Sequence, residues 1–162
     1  MAQTQHTSSS YQHLDLQQLA NDIKSHGQAS GFQQVGITDT KLTEAETHLM
    51  DWLRNGYHGE MDYMQRHGSK RSRPAELEPG TVRVISATLN YWPEPDQSCQ
   101  AVLDSPGQAY VSRYALGRDY HKLMRKRLQA LARHIEHIAG PFGYRVFTDS
   151  APVLEKALAE KA

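Results

Sequence analysis

The spacing of apolar residues along the chain predicts helices that alternate with strands. A helical period runs from about Leu14 to Ser30, and strand-like alternation follows from Phe32 to Thr38. The densest run of β-branched residues, Val82 to Tyr91, predicts a second strand, and Tyr144 to Thr148 predicts a shorter third one. This order favours an α/β (α+β layered) domain in which helices flank a mixed sheet.

The strongest helix pattern extends from Arg118 to Ala139 and ends at Gly140-Pro141. Its basic side chains project away from the apolar face, so the helix is expected to pack on one side only. The apolar stripe consists of Tyr120, Met124, Leu128, Leu131, Ile135 and Ile138.

Short-range signals predict where two other helices begin. Thr43 and Glu46 have the spacing of a capping box, so a helix is expected to start there. Asp149 or Ser150 has the position of an N-cap for the last helix, with Pro152 in its first turn.

Length and composition are those of one folded domain. The chain has 162 residues, of which 38% are hydrophobic, and its mean hydropathy is −0.68. We expect a disordered leader over residues 1–13 and the domain over residues 14–162. No apolar run is long enough to cross a membrane, and no secretory leader is present, so the expected location is the cytoplasm.

The single cysteine, Cys99, excludes an internal disulfide and any multi-cysteine metal site built from this chain alone. It lies in the segment Trp92 to Gln108, whose three prolines predict a surface loop. His134 and His137 have the spacing of a ligand pair, but no third ligand is placed beside them, and we expect no metal site. Phosphate-loop, dinucleotide-binding and hydrolase-elbow motifs are absent.

The zero net charge is a cancellation of unlike regions. Residues 1–65 carry eight acidic and three basic side chains, whereas residues 66–133 carry twelve basic and six acidic ones. A basic region attracts polyanions because Lys and Arg release counterions from phosphates. The same bias is also typical of a solvated helix face, and the sequence leaves both interpretations open.

Two clusters hold the candidate chemistry. Between Tyr110 and Lys122, tyrosines, arginines and a histidine precede the long helix, a combination suited to a planar ligand with phosphate or carboxylate groups. Between Phe147 and Glu155, a strand-to-helix junction carries Asp149. That carboxyl is either a helix cap or a proton donor, and spacing alone favours the cap.

These clusters belong to a set of stretches that resembles the epoxyqueuosine reductases, cobalamin-dependent enzymes of queuosine biosynthesis. The resemblance covers residues 14–162. The stretches are SRYALGRDYHKLMRKRL (112–128), DSAPVLEKALAEKA (149–162), YHGEMDYM (57–64), Lys70-Arg71 and residues 77–91.

The resemblance implies reduction of an epoxide on the wobble base of a tRNA anticodon, the last step of queuosine formation. The family's cobalamin domain is similar to that of reductive dehalogenases, and two 4Fe–4S clusters in a following ferredoxin-like domain deliver electrons from a donor protein or reductant. Asp149 matches the family's proton donor, and the protein is expected to act as a monomer. The stretches that resemble the cobalamin and substrate pocket contain Arg71, Tyr114, Asp119, Tyr120, His121, Ser150 and Val153. The basic residues suited to the anticodon arm are Arg118, Lys122, Arg125, Lys126 and Arg133.

One departure from the family pattern is large. A 4Fe–4S cluster takes four cysteine thiolates, and this chain has one cysteine. The chain therefore resembles the N-terminal, cobalamin-binding portion of such an enzyme, without the cluster domain, and is not expected to turn over alone. Two alternatives remain: a truncated tRNA-binding module without catalysis, and a corrinoid reductase that acts on a small molecule.

Overall fold

The computed structural model describes residues 15–91 and 99–162, in which seven α-helices and two β-strands form. The predicted leader over residues 1–13 lies outside these ranges, as do residues 92–98 of the predicted loop. Two 3₁₀ turns, Gly68–Arg71 and Arg113–Ala115, connect helices. The helices are α1 (Leu16–Ala29), α2 (Thr43–Arg54), α3 (Tyr63–Arg66), α4 (Pro74–Leu77), α5 (Cys99–Leu103), α6 (Tyr120–Ala139) and α7 (Glu155–Lys161), and the strands are β1 (Gln34–Thr38) and β2 (Val84–Thr88).

The two strands pair antiparallel, and helices α1 and α6 cover one face of the pair. Val35 lies opposite Ala87 and Ile37 lies opposite Ile85, so these four side chains share that face. Helix α1 approaches closely at Gly27, where a Cβ atom would come within 2.5 Å of a Val35 methyl. The buried core consists of Ile23, Phe32, Val35, Leu131 and Ile135.

Helix α7 contacts both strands from the opposite face. Gly36, whose neighbours point into the core, faces Ala162 so closely that a Cβ atom would meet the Ala162 carbonyl at 2.9 Å. Leu158 is the buried residue of α7, and the Lys161 ammonium at the end of this helix pairs with Asp39. The order of layers is therefore a helix pair, a sheet and a single helix, which confirms the predicted layered α/β class.

The sheet is smaller than predicted. Residues 144–148 form no strand, so the described sheet is an antiparallel pair rather than a mixed one. Tyr144 explains part of this, because its hydroxyl accepts a hydrogen bond from Gln129 of α6 at 2.7 Å and its ring lies 5.2 Å from that of Phe142. Tyr144 is thus bound to α6 through its hydroxyl instead of lying in the sheet.

Both cap predictions were wrong. Leu42, whose side chain has no hydrogen-bond acceptor, is the N-cap residue of α2 in place of Thr43. The Glu46 carboxylate binds Ser72 and Arg73 instead of the helix terminus. Helix α7 begins only at Glu155, six residues after Asp149. In addition, Cys99 starts the short helix α5 where a loop was predicted. Ile138, predicted in the core stripe, lies exposed.

Candidate functional site

Asp149 stands in an unusual backbone conformation. Its φ is +53°, and among the described residues other than glycine only this one has a positive value. Aspartate tolerates this left-handed region better than most side chains, but the conformation is uncommon. This conformation changes the direction of the chain between Thr148 and the turn before α7. The Asp149 side chain is 51% exposed and lies beside the start of α6.

Tyr120, the first residue of α6, donates its hydroxyl to the Asp149 Oδ2 atom at 2.6 Å. This hydrogen bond to a carboxylate raises the pKa of Tyr120 to about 12. The phenol therefore remains protonated at neutral pH and keeps donating. The contact joins residues 29 positions apart, so it fixes the junction before α7 against the N-terminus of the long helix.

His121 lies between two carboxylates. Asp119 is the N-cap of α6, where its Oδ1 atom accepts the His121 backbone N–H and lies 3.0 Å from the His121 Nδ1 atom. These hydrogen bonds lower the pKa of Asp119 and keep it ionised at neutral pH. An ionised carboxylate only accepts, so the His121 proton must sit on Nδ1. The other nitrogen, Nε2, points to Asp149 Oδ2 at 3.5 Å.

An aromatic face extends outward from these residues. Tyr114 lies edge-on between Tyr120 and Tyr91, with ring centroids 6.4 and 6.5 Å apart. Its side chain is 56% exposed, and Leu116 beside it is also exposed. Residues 114, 115 and 117–121 line a shallow depression of about 180 Å³ at this face. The face offers a ligand broad apolar surface next to the Asp149 carboxyl.

Two further groups adjoin Asp149. The Thr148 hydroxyl is buried and has no hydrogen-bond partner in the described part of the chain. A buried, unsatisfied hydroxyl of this kind is costly and is often found where a ligand or water completes the site. Burial, together with the nearby Asp149 charge, raises the pKa of Glu155.

Arg71 supports the site through its main chain. Its guanidinium donates to the carbonyl oxygens of Tyr63 and Met64 at 2.8 and 3.0 Å. Its own carbonyl accepts the Leu154 backbone N–H at 2.9 Å. The side chain is therefore committed to α3, while the backbone ties this segment to the turn that follows Asp149.

A polar network anchors the segment after Arg71. Ser72, 1% exposed, donates to Glu46 Oε2 at 2.7 Å, and Arg73 donates to both Glu46 oxygens. These hydrogen bonds, chiefly that from Arg73, lower the pKa of Glu46 to about 2. Arg73 also reaches Glu76 at 3.0 Å. The larger depression of about 310 Å³ lies at this network, and its lining contains none of the residues around Asp149.

The remaining predicted residues are exposed or half-buried. Ser150 is exposed, and Val153 is half-buried in the turn before α7. Lys122, Arg125, Lys126 and Arg133 are exposed on α6, at helical spacings that place them within one stripe, and Arg118 is exposed just before it. In residues 15–91 and 99–162, no group of three or more His, Cys, Asp or Glu side chains could hold a metal ion. His134 instead stacks on His26, with centroids 3.6 Å apart.

Sequence reasoning missed three parts of this arrangement: Tyr91, Thr148 and the Glu46 network. Tyr91 was assigned to the end of a strand, and its place in the aromatic face depends on its contact with the Tyr114 ring, 23 residues later. Glu46 matched a local capping motif, which concealed its pairing with Arg73, 27 residues away. A search of the sequence for arginines that lack a local acidic partner would also miss this pair, because Arg73 has Glu76 three residues away.

Comparisons with known proteins agree on one family. A family model described as epoxyqueuosine reductase QueG, DUF1730, matches residues 71–150. An epoxyqueuosine reductase of Pseudomonas aeruginosa is 64% identical over 148 residues, which are 91% of this chain and 41% of that protein. The chain belongs to the epoxyqueuosine reductase family. An Escherichia coli member is 56% identical over 149 residues, which are 92% of this chain and 39% of that protein.

A solved structure has the same fold. The crystal structure of a selenomethionine-labelled epoxyqueuosine reductase superimposes with a TM-score of 0.74 over 90% of this chain and 38% of that chain, at 20% identity. The chain thus spans about 40% of the length of the curated relatives it matches. No helix in the two described ranges is long and apolar enough to cross a membrane.

Proposed function

We propose that this chain forms the cobalamin- and substrate-binding part of an enzyme that reduces epoxyqueuosine to queuosine in tRNA. The observation that carries the proposal is the Asp149 carboxyl, held by Tyr120 at an open aromatic face in a chain of this family. Asp149 is the proton donor, and domain residues 14–162 build the pocket. The proposal places the protein in the cytoplasm as a monomer that receives electrons from a donor protein or reductant.

A corrin fits this face. The ligand is broad and largely apolar with amide groups at its edge, and the structure offers exposed rings of Tyr91 and Tyr114 together with the unsatisfied Thr148 hydroxyl. When bound and reduced, the cobalt centre supplies electrons to the epoxide. Tyr114, Tyr120, Ser150 and Val153 are the residues proposed to border it.

The two 4Fe–4S clusters do not fit this chain. Each takes four cysteine thiolates, and Cys99 is the single cysteine of the sequence. The proposal therefore assigns these clusters to residues other than those of this chain, and assigns to this chain the steps of binding, orientation and proton transfer.

The role of Asp149 follows from its surroundings. An epoxide oxygen that leaves as water must be protonated, and a carboxyl within hydrogen-bond reach can supply the proton. Burial of a carboxyl under an apolar ligand favours its protonated form, which is the form that a donor needs. The hydrogen bond from Tyr120 and the constrained backbone hold the carboxyl in one direction.

The first test is an anaerobic titration of the purified chain with cob(II)alamin, followed by its visible spectrum and its cobalt EPR signal. We expect a saturable change of both signals, because the proposed pocket lies within the described residues. Folded protein that leaves both signals unchanged contradicts the cobalamin part of the proposal. Steep salt dependence of tRNA binding in such a protein would favour a tRNA-binding module without catalysis.

The stripe of Lys122, Arg125, Lys126 and Arg133 is proposed to contact tRNA phosphates. Replacing all four with glutamine is expected to reduce the slope of log K against log salt by roughly 3, since each lost phosphate contact removes about 0.7 to 0.9. Binding of tRNA at several salt concentrations measures this slope. Arg54→Gln, which removes an exposed cation of α2, is the matched control and should leave the slope unchanged. An unchanged slope in the fourfold variant would contradict the assignment.

A further inference from the structure

The proposed reaction needs more protons than one carboxyl holds. Converting an epoxide to an alkene and water consumes two electrons and two protons. Asp149 carries one proton at a time, so a second must reach the reacting oxygen, or Asp149 itself, within each turnover. This inference rests on the proposed function and concerns the source of that proton.

His121 is placed between Asp149 and a group that orients it. Its Nδ1 proton is held by Asp119 at 3.0 Å, and its Nε2 atom lies 3.5 Å from Asp149 Oδ2. The second distance is just beyond hydrogen-bond length, and such contacts often tighten when the ligand arrives. The imidazole is 43% exposed, so it can also exchange protons directly with solvent. We propose that His121, oriented by Asp119, returns a proton from solvent to Asp149 within each catalytic cycle.

The proton balance is simple. Asp149 gives its proton to the departing oxygen and becomes a carboxylate. Protonated His121 then transfers the Nε2 proton to Asp149 Oδ2 and becomes neutral, with its remaining proton on Nδ1 toward Asp119. Solvent reprotonates Nε2, and Asp149 can donate again. The two electrons come from the reduced corrin proposed above, and two passes of this cycle account for both protons.

The other titratable groups around Asp149 suit this task less well. Tyr120 contacts the same Oδ2 atom, but the carboxylate hydrogen bond raises its pKa to about 12, so it rarely releases a proton. Glu155 accepts from the Asp149 backbone N–H, which directs its carboxylate to the main chain. Around the imidazole itself stand Asp119, Tyr120 and Lys122 from its own helix end, Arg118 from the preceding turn, and Asp149 from the opposite segment.

The functional test uses a holoenzyme in which this chain replaces the matching 148 residues of the 64% identical Pseudomonas aeruginosa relative. His121→Ala is expected to lower kcat for epoxide-containing tRNA by about 10- to 100-fold, less than the 10²- to 10⁴-fold typical of a direct acid, because solvent can still reprotonate the exposed Asp149 carboxyl without the imidazole. The KM for tRNA should stay within about twofold, since the imidazole makes no substrate contact in this scheme. Added imidazole should restore part of kcat, and Asp119→Asn should give a smaller loss.

His137→Ala is the matched control, because it removes an exposed histidine from the other end of the same helix. It should leave kcat and KM unchanged. An unchanged kcat in His121→Ala overturns the relay. In that case, turnover by the parent holoenzyme still supports the proposed function. A loss that imidazole does not restore also overturns the relay, since a purely structural role predicts that result.

A second measurement does not depend on turnover. In the 162-residue chain, nitrogen-15 NMR of the ring nitrogens should show that the neutral His121 ring carries its proton on Nδ1, because the Asp119 carboxylate accepts there. Asp119→Ala should shift this tautomer toward Nε2–H, whereas the exposed Asp104→Ala should leave it unchanged. If the parent holoenzyme is inactive, the proposed function fails and this tautomer alone decides the orientation on which the relay depends. A neutral ring with its proton on Nε2, or a tautomer that Asp119→Ala leaves unchanged, overturns the relay.

Discussion

Asp149→Asn is expected to lower turnover of epoxide-containing tRNA by about 10²- to 10⁴-fold, the usual contribution of a positioned acid. The amide has the size of the carboxyl and can still accept a hydrogen bond from Tyr120, but it has no acidic proton to give. Asparagine also tolerates the left-handed backbone that residue 149 adopts, with φ at +53°. The loss should therefore come from chemistry rather than from folding.

The measurement is single-turnover reduction of the modified tRNA by the holoenzyme described above. Cobalamin spectra should be the same in the variant and the parent, since the corrin surface is left in place. Asp104→Asn, an exposed aspartate on the loop after α5, is the control and should retain full turnover. Normal turnover in Asp149→Asn would remove the donor role from this residue.

The position of Asp149 shows why local sequence signals were not sufficient. Asp-Ser-Ala-Pro has the composition of a helix start, and an N-cap was the favoured interpretation. In the structure the Arg71 carbonyl holds Leu154, and the helix begins one residue later. The contact that decides the role of the carboxyl comes from Tyr120, 29 residues earlier. Spacing along one segment contains no information about such a partner.

Glu46 shows the same limit. The capping-box spacing is real, but two hydrogen bonds from Arg73 and one from the buried Ser72 outcompete a local backbone donor. By contrast, α1, α6 and both strands were predicted within a few residues. Their signals are long apolar periods, and such periods persist because the buried face must match the tertiary packing.

The third predicted strand failed for a related reason. Five residues rich in aromatic and β-branched side chains can lie on a sheet or along a helix, and so short a run does not choose between them. The bond from Gln129 to the Tyr144 hydroxyl favours the second arrangement. The family resemblance had a different basis, since it depended on residue identities in several ordered stretches. The comparisons confirmed it, whereas hydrophobic periodicity predicts helices and strands but no family.

Leu131→Ala should reduce the free energy of unfolding of this chain by about 2–5 kcal/mol, because it leaves a cavity where α6 packs on the sheet. Leu131 is 2% exposed and lies in the core with Ile23 and Phe32. Urea denaturation followed by circular dichroism measures the change, provided that the slope of the transition is preserved.

Leu123→Ala is the matched control for this prediction, since it makes the same substitution in the same helix. Leu123 is 43% exposed, so the variant gains the same helix propensity and loses little burial. Its unfolding free energy should change by less than about 0.5 kcal/mol. Equal effects at the two positions would mean that α6 does not pack on the sheet through Leu131. Since Tyr120 and His121 stand on the first turn of that helix, the same packing determines where they meet Asp149.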